Sequence, residues 1–268
     1  MREPKAYPPL TPQAVEEAAR AAGIDAPVQF VPVTGSTNSD LLGLAEAGAP
    51  EWTLVVAGHL TAGRGRLGRT WVTVPGASLP VSVLLRPAVD PSETPMLSLA
   101  AAVAMVDACL EACRVEITCR WPNDLMAGGR KVGGILAEGS VRGTTMAYVV
   151  IGTGVNVAQR GEDFPEEIRG TATSIFLEGG SPDFEGLLGR YLVELRRLYG
   201  TGGRGLGSRV VDRYRERCDT IGRDVGAITM TGHHIQGEAV GVGERGELLI
   251  QTVSGIRAVS FGEIQHME

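Results

Sequence analysis

The segment that most constrains how this chain can fold is residues 63–71, GRGRLGRTW. Glycine loses more backbone entropy than other residues when it is ordered, so three glycines within seven residues predict a loop. Guanidinium groups match phosphate and carboxylate geometry, and the spacing of the three arginines lets all of them reach one anion. Apolar runs at residues 53–57 and 79–85 predict buried strands on both sides. We therefore interpret this segment, the arginine loop, as an anion-binding loop inside a folded domain rather than a solvated basic connector.

Composition limits the class of protein before any other motif is considered. A length of 268 residues favours one large domain with one small domain. The net charge of −6 argues against nucleic acid as the main partner, because the basic cluster is local. Residues 1–10 lack the apolar stretch of a signal peptide, and no uninterrupted apolar run approaches the roughly 20 residues that span a bilayer. The four cysteines form no CxxC pair, so we expect no disulfide framework and a cytoplasmic protein. Cys109 and Cys113, four positions apart on a predicted helix, are expected to pack in the core.

The order of the predicted elements indicates an α/β (α+β) fold, with a larger domain at residues 1–219 and a small β domain at residues 220–268. Apolar periodicity and helix caps predict helices at residues 12–22, 40–47, 96–113, 184–199 and 208–218. Strands of the larger domain are predicted at residues 28–33, 53–57, 79–86, 115–119, 132–138 and 146–151. After residue 220, short alternating strands separated by glycine turns predict a small barrel or sandwich.

A second set of polar motifs accompanies the predicted strands. Asp124 follows the end of one strand, Lys131 opens the return strand, and glycines within residues 133–134 and 152–154 leave the backbone bare. A carboxylate beside bound phosphates commonly holds Mg²⁺, and a lysine supplies a point charge. With the arginine loop, these groups fit nucleotidyl transfer onto a carboxylic acid, which depends on positioning and on charge stabilisation at the α-phosphate. The chain contains neither a Walker A pattern nor the GxSxG of hydrolases.

Five motifs, in their order along the chain, resemble those of the biotin protein ligase family. They are Ser36-Thr37-Asn38, the arginine loop, WPND at residues 121–124, KVGGIL at residues 131–136 and GTGVNV at residues 152–157. The resemblance extends over residues 28–268. It implies a mixed central sheet flanked by helices, similar to class II aminoacyl-tRNA synthetases, followed by an SH3-like β-barrel.

The activity that the resemblance implies has two steps in one site. Biotin and MgATP first give biotinyl-5′-AMP and pyrophosphate, and the adenylate then acylates one lysine of a biotin carboxyl carrier protein. Family members that also repress transcription carry an N-terminal DNA-binding domain, whereas 27 residues precede the first predicted strand here. We therefore expect a monofunctional ligase with no DNA partner and no membrane partner. The family contains both monomers and sheet-edge homodimers, so a homodimer stays open.

The resemblance also implies a role for each matching position. The catalytic groups would be Lys131, Arg66, Arg64 and Asp124, with Asp124 also the candidate Mg²⁺ ligand. Biotin would be held by Ser36, Thr37, Asn38, Leu60, Gly63, Arg64, Gly65, Arg66, Lys131, Gly133 and Gly134. ATP and the adenylate would be held by Arg66, Arg69, Trp71, Asn123, Lys131, Gly154 and Asn156.

Several of these positions carry a more specific expectation. Lys131 would bridge the biotin carboxyl group and the α-phosphate, and Arg66 would retain the adenylate. Trp71 would either stack on adenine or anchor the loop. Three positions depart from the family pattern: Leu60 stands where glutamine is often found, Arg120 replaces the usual lysine before WPND, and Gly134 stands where alanine is common. Any contact between residue 60 and biotin must therefore be apolar or made through the backbone.

Three rival interpretations stand beside this one. A lipoate or octanoate ligase of related fold would need a long apolar tunnel, which the Ser-Thr-Asn motif disfavours. A non-catalytic biotin-binding regulator would have no use for the charges of Lys131, Asp124 and Arg66. A nucleic-acid-binding protein is disfavoured by the net negative charge and by the absence of a helix-turn-helix pattern.

Overall fold

The computed structural model describes residues 10–229, 234–260 and 262–266. The helices in these ranges are α1 (Pro12–Ala21), α2 (Thr37–Glu46), α3 (Pro95–Cys113), α4 (Phe184–Tyr199) and α5 (Leu206–Arg217). The strands of the larger domain are β1 (Val28–Val31), β2 (Leu54–Ala57), β3 (Ser78–Leu85), β4 (Thr118–Arg120), β5 (Asp124–Ala127), β6 (Arg130–Arg142) and β7 (Thr145–Asn156). The strands after α5 are β8 (Asp224–Thr229), β9 (His234–Val242), β10 (Leu248–Thr252), β11 (Gly255–Val259) and β12 (Gly262–His266).

The larger domain is built on a mixed seven-stranded sheet with the strand order β1-β2-β3-β7-β6-β5-β4. β1 and β2 pair in parallel, and the other neighbouring strands pair antiparallel. Helix α2 covers one face, where Leu41 packs with Val55, Leu84 and Val150. Helices α1, α3 and α4 lie on the other face and share the larger core with the sheet. The predicted fold class, a mixed sheet flanked by helices, is confirmed.

Helix α3 is the central element of the larger core. It is apolar almost all round and buried along most of its length, because α4, α5 and the sheet pack around it. The buried charge in this helix, Asp107, accepts hydrogen bonds from Arg213 and Arg217 of α5. By length and composition alone, the segment Pro91–Cys113 could cross a bilayer, although charged residues such as Asp107 interrupt its apolar run. Since 78% of its most apolar stretch is buried within the fold, its composition suits a core helix.

The predicted strands have the correct order, but several bounds differ. β1 ends at Val31 instead of residue 33, and β6 and β7 extend beyond their predicted segments to form one long hairpin. β5 (Asp124–Ala127) was not predicted, because four residues are too few to show alternation and WPND was interpreted as a loop. β5 pairs with β6 and places Asp124 opposite Gly134. Two predicted site residues are therefore neighbours across a strand pair.

Strands β8–β12 form an antiparallel sheet in the order β11-β10-β9-β8-β12, which confirms the predicted SH3-like β domain. The chain enters this domain from α5, and at the junction the Asp219 N–H donates to the carbonyl of Cys119 over 2.8 Å. Apolar residues of the small domain, such as Val225 and Ile250, belong to the same continuous core as residues of the larger domain such as Leu99. The domain boundary between residues 219 and 220 stays a prediction.

The four cysteines are free thiols buried in this core. Burial raises the pKa of each thiol, to about 11 at Cys113. Because the thiolate is the reactive and metal-binding form, buried thiols with raised pKa values are inert. The expectation that Cys109 and Cys113 pack in the core is confirmed.

Candidate active site

A cavity of about 320 Å³ lies where the start of α2, the arginine loop and the WPND residues meet above β3, β6 and β7. Most of the predicted site residues line it. They are Ser36, Thr37, Asn38, Leu60, Arg64, Gly65, Arg66, Arg69, Trp71, Asn123, Asp124, Lys131, Gly134 and Gly154. Segments as far apart in the sequence as Ser36 and Gly154 thus converge on one space.

One end of the cavity is a buried polar corner at the start of α2. Ser36 is the N-cap of the helix and accepts a hydrogen bond from the Ser39 N–H, so it has a capping role as well as a place in the cavity wall. Thr37 and Asn38 are each only 4% exposed. The Asn38 amide nitrogen donates to the carbonyl of Leu136 over 3.2 Å and to Glu138 over 2.8 Å. This end of the cavity therefore presents polar groups in fixed positions to a ligand.

The arginine loop forms a narrow turn over the cavity. The Gly65 N–H donates to the carbonyl of Arg69 over 2.7 Å, and a single turn of 3₁₀ helix, Arg66–Gly68, forms the tip. Arg64 forms an ion pair of 2.9 Å with Glu138 on β6, and Arg66 donates to Asn123 over 3.3 Å. The loop has few buried residues, so these polar contacts hold it in place more than packing does.

The charged centre of the cavity is the ion pair between Lys131 and Asp124. Lys131 Nζ lies 2.6 Å from Asp124 Oδ1, and the two side chains are 38% and 31% exposed. Both groups are therefore accessible to a ligand in the cavity. Among the described residues there is no cluster of three histidine, cysteine, aspartate or glutamate side chains that could hold a metal by itself. A lone accessible carboxylate suits Mg²⁺, which keeps several waters and takes one or two protein oxygens beside phosphates.

Trp71 packs against bare backbone. A Cβ atom at Gly154 would lie 2.7 Å from Trp71 Nε1, so the indole lies directly on that glycine. Lys131 Nζ lies 6.0 Å from the centre of the Trp71 ring, within the range of a cation–π contact. This packing supports Trp71 as an anchor of the loop, whereas its stacking on adenine stays a prediction.

The structure does not bring three predicted residues to the cavity wall. Gly63 lies under Trp71, where any side chain would overlap the Trp71 carbonyl oxygen. Gly133 faces away from the cavity toward Leu125, because consecutive residues of a strand point to opposite faces and Gly134 already faces the cavity. Asn156, at the end of β7, is 4% exposed and does not line the cavity either. A ligand contact by any of these three residues stays a prediction.

The side-chain amide of Asn156 is also occupied by protein partners. Its nitrogen donates to the carbonyl of Thr173 over 3.0 Å, and its oxygen accepts from Gln159 over 3.0 Å. The GTGVNV motif thus supplies the cavity with Gly152, Thr153 and Gly154 but not with its asparagine. Sequence reasoning treated the motif as one unit, whereas burial and the protein partners of the Asn156 amide separate the asparagine from the residues that line the cavity.

Sequence reasoning missed two residues that support the polar corner, Ser82 and Glu138. Ser82 lies on β3 inside a buried apolar run, and that isolated hydroxyl was a signal that could have been noticed. It also missed the partner of Arg120, which forms two hydrogen bonds with Asp219 at 3.1 and 2.6 Å. Beside it, the Trp121 indole donates to the carbonyl of Gly246 over 2.8 Å, so the small domain holds the WPND residues from behind.

Comparison with known proteins adds to this geometry. Residues 30–156 match the biotin/lipoate A/B protein ligase family, and residues 220–267 match the biotin protein ligase C-terminal domain. A biotin–[acetyl-CoA-carboxylase] ligase of Mycobacterium tuberculosis is 34% identical over 267 residues, which cover 97% of both chains. A bifunctional ligase/repressor of Bacillus subtilis is 35% identical over 87% of this chain and 72% of its own length. A biotin protein ligase from Aquifex aeolicus, solved with biotin and ATP, has a TM-score of 0.73 at 26% identity, covering 90% of this chain and 99% of that chain.

Proposed function

This chain belongs to the biotin protein ligase family, and from that premise we propose how its cavity activates biotin with ATP and transfers it to a carrier protein. The enzyme is an ATP-dependent ligase that forms biotinyl-5′-AMP and then biotinylates a lysine of a biotin carboxyl carrier protein. One observation supports placing biotin in this cavity. The cavity has a buried polar corner at Asn38 and a charged centre at Lys131 and Asp124. A molecule with a polar ring at one end and a carboxylate at the other would match both.

In the first step, the biotin carboxylate attacks the α-phosphate of ATP, and pyrophosphate leaves. Lys131 would contact the carboxylate and the α-phosphate together, so that its charge offsets the negative charge that increases on the phosphate. Arg64, Arg66 and Arg69 line the same cavity and would orient the phosphate groups. Asp124 would hold Mg²⁺, which when bound neutralises charge on the phosphates of ATP.

In the second step, the amine of the carrier lysine attacks the acyl carbon of biotinyl-5′-AMP, and AMP leaves. The protein must keep the adenylate from water and from other amines until the carrier docks. Arg66 of the arginine loop donates a hydrogen bond to Asn123 of the WPND residues. This contact supports a role for the loop as a cover that retains the adenylate. Gly65, Gly134 and Gly154 would leave room for the adenylate against the backbone.

The polar corner favours biotin over lipoate or octanoate. A ligase for those acids would end its cavity in apolar side chains, whereas Ser36, Thr37 and Asn38 present hydroxyl and amide groups. The cyclic urea of biotin can pair with such groups, and Leu60 can cover its apolar part. Leaving these buried polar groups unpaired beside an alkyl chain would cost about 1–3 kcal/mol per group.

The proposal also includes the cellular setting and the partners. Buried free thiols without disulfides fit the cytosol. The net charge of −6 gives no support for a nucleic-acid partner. The only macromolecular partner that the reaction requires is the biotin carboxyl carrier protein.

Native mass spectrometry after incubation with biotin and MgATP tests the proposed function. We expect the protein to retain a mass equal to biotinyl-5′-AMP, and the same spectrum would distinguish a monomer from the homodimer that the family resemblance allows. A parallel incubation with lipoate and MgATP is the control. Retained lipoyl-AMP without a biotin complex would move the chain to the rival ligase, and no adduct from either acid would refute adenylation at this site.

A further inference from the structure

Four polar side chains form a continuous hydrogen-bonded chain behind the polar corner. Glu138 Oε2 accepts from the Asn38 amide nitrogen over 2.8 Å. On the other side of the amide, Asn38 Oδ1 lies 2.6 Å from the Ser82 hydroxyl oxygen, which itself lies 2.8 Å from the Thr37 hydroxyl oxygen. Ser82 is fully buried, and Thr37 and Asn38 are each 4% exposed, so the bonds among these three side chains are shielded from bulk water, whereas Glu138 at the end is 26% exposed. We call this set the polar chain.

The donor direction along the polar chain follows from its two ends. The carboxylate of Glu138 and the carbonyl of Leu136 can only accept, so both face the NH₂ side of the Asn38 amide. The oxygen side of Asn38 therefore faces Ser82, which must donate its single proton there. With that proton used, the Ser82 oxygen can only accept from the hydroxyl of Thr37.

This direction determines what Thr37 offers to a ligand. Its proton points back to Ser82, so its oxygen turns lone pairs toward the cavity that Thr37 lines. We propose that Glu138 and Ser82 are positioning residues that make Thr37 a hydrogen-bond acceptor and so select a ligand N–H, such as that of a cyclic urea. The proposal rests on the proposed function, because it takes biotin as the ligand of this corner.

Two further observations show that the polar chain is built in by the fold. Gly152 on β7 lies against the Asn38 amide, and any side chain at that position would overlap Asn38 Oδ1. The same Glu138 oxygen that accepts from Asn38 also accepts from Arg64, at 2.9 Å. The carboxylate therefore connects the polar corner with the arginine loop, and a charge-assisted bond fixes the amide more firmly than a neutral one would.

Isothermal titration calorimetry with biotin and two analogues tests the proposal. In each analogue, one ureido N–H is replaced by a ring oxygen, which places an acceptor where a donor was. For the unmodified protein, we expect one of the two analogues to bind on the order of 100-fold more weakly than biotin, since two acceptors then face each other in a buried site. In Ser82→Ala, the Thr37 hydroxyl is free to turn and donate, so the preference should fall below about tenfold.

Ser78→Ala is the matched control. Ser78 lies on the same strand, is 4% exposed, and hydrogen-bonds to Val74 and Gln159 away from the cavity. It should lose a similar amount of stability but keep the full preference for biotin. Ser82→Cys, which retains a weak donor of similar size, should give an intermediate preference and serves if the alanine variant does not fold.

The outcomes separate this inference from the proposed function. If the unmodified protein does not bind biotin, the proposed function fails. If it binds biotin and Ser82→Ala keeps the full preference against the oxygen analogues, the polar chain is only a packing feature and this inference is overturned. If Ser82→Ala does not fold, an unchanged preference in Ser82→Cys would overturn this inference equally. A loss of preference in Ser78→Ala would assign the effect to strand β3 as a whole and overturn the specific role of Ser82.

Discussion

Replacing Lys131 with alanine should remove adenylation while leaving the protein almost as stable as before. The ion pair between Lys131 and Asp124 is short, at 2.6 Å, but both side chains are about one third exposed. Exposed and partly exposed ion pairs contribute about 0–1 kcal/mol to stability, because water already solvates both charges. We therefore expect the free energy of unfolding, measured by urea titration, to fall by less than about 1 kcal/mol in Lys131→Ala.

The expected loss of activity is much larger. A fixed positive group directed at developing charge contributes about 3–4 kcal/mol to a transition state, which corresponds to about 100–1,000-fold in rate. Lys131 lies in the cavity with Asp124 and the arginine loop, so no other lysine among the described cavity residues can take its place. Pyrophosphate release in a single turnover with biotin and MgATP should therefore slow by about 100–1,000-fold.

The second half-reaction provides the discriminating assay. If Lys131 acts mainly on the α-phosphate, transfer from synthetic biotinyl-5′-AMP to the carrier should slow by less than about tenfold. In that substrate, the bond between the biotin carboxylate and the α-phosphate is already formed. Arg130→Ala is the control, since the adjacent Arg130 forms a 2.7 Å ion pair with Glu178, is 40% exposed, and does not line the cavity. The control should keep both half-reactions.

Three results would refute this reasoning. An unfolding free energy lowered by several kcal/mol in Lys131→Ala would mean that the pair is structural. Equal loss of both half-reactions would mean that Lys131 positions the ligand in general. Equal loss in Arg130→Ala would mean that charge near the hairpin, rather than Lys131 itself, is required.

Two more predictions concern contacts at the edges of the cavity. Arg66→Ala should form the adenylate but release it, because Arg66 bridges the loop to the opposite wall, so mass spectrometry should find biotin on lysines of an added bystander protein. Normal labelling confined to the carrier would exclude retention by Arg66. Asp219→Ala should lower the free energy of unfolding by about 2–3 kcal/mol in urea titration, because it leaves a largely buried arginine without its two-bond partner. Glu111→Ala, which breaks an exposed pair, should change it by less than about 0.5 kcal/mol, and equal effects of the two substitutions would contradict the argument.

Local patterns in the sequence were sufficient to predict most elements of the fold. Helix α3 was predicted within one residue because its apolar residues extend all round and Thr94-Pro95 marks its N-terminal end. The bare backbone of Gly134 and Gly154 was also predicted, because glycine removes a side chain wherever the strand lies. The bounds of a helix and the absence of a side chain depend only on residues close in sequence. They can therefore be predicted without knowing which strands are neighbours in the sheet.

The sequence leaves a choice open where the position of a side chain depends on pairing between distant segments. Gly133 and Gly134 are adjacent in sequence, yet only one faces the cavity, and the choice depends on the register of β6 against β5 and β7. Strand alternation predicts that the two glycines differ but does not say which one faces the ligand.

The polar chain has the same origin over a longer distance. Asn38 and Glu138 are separated by a hundred positions, and they meet only because β7 lies between β3 and β6 while α2 covers that face of the sheet. A single polar residue in a buried strand, such as Ser82, indicates that a partner must exist, because an unpaired buried hydroxyl is costly. The sequence does not identify that partner, since a slip of one residue in β3 would turn Ser82 to the opposite face, and one in β6 would turn Glu138. Substrate selection in this cavity is therefore a property of the sheet register as much as of the motifs that line it.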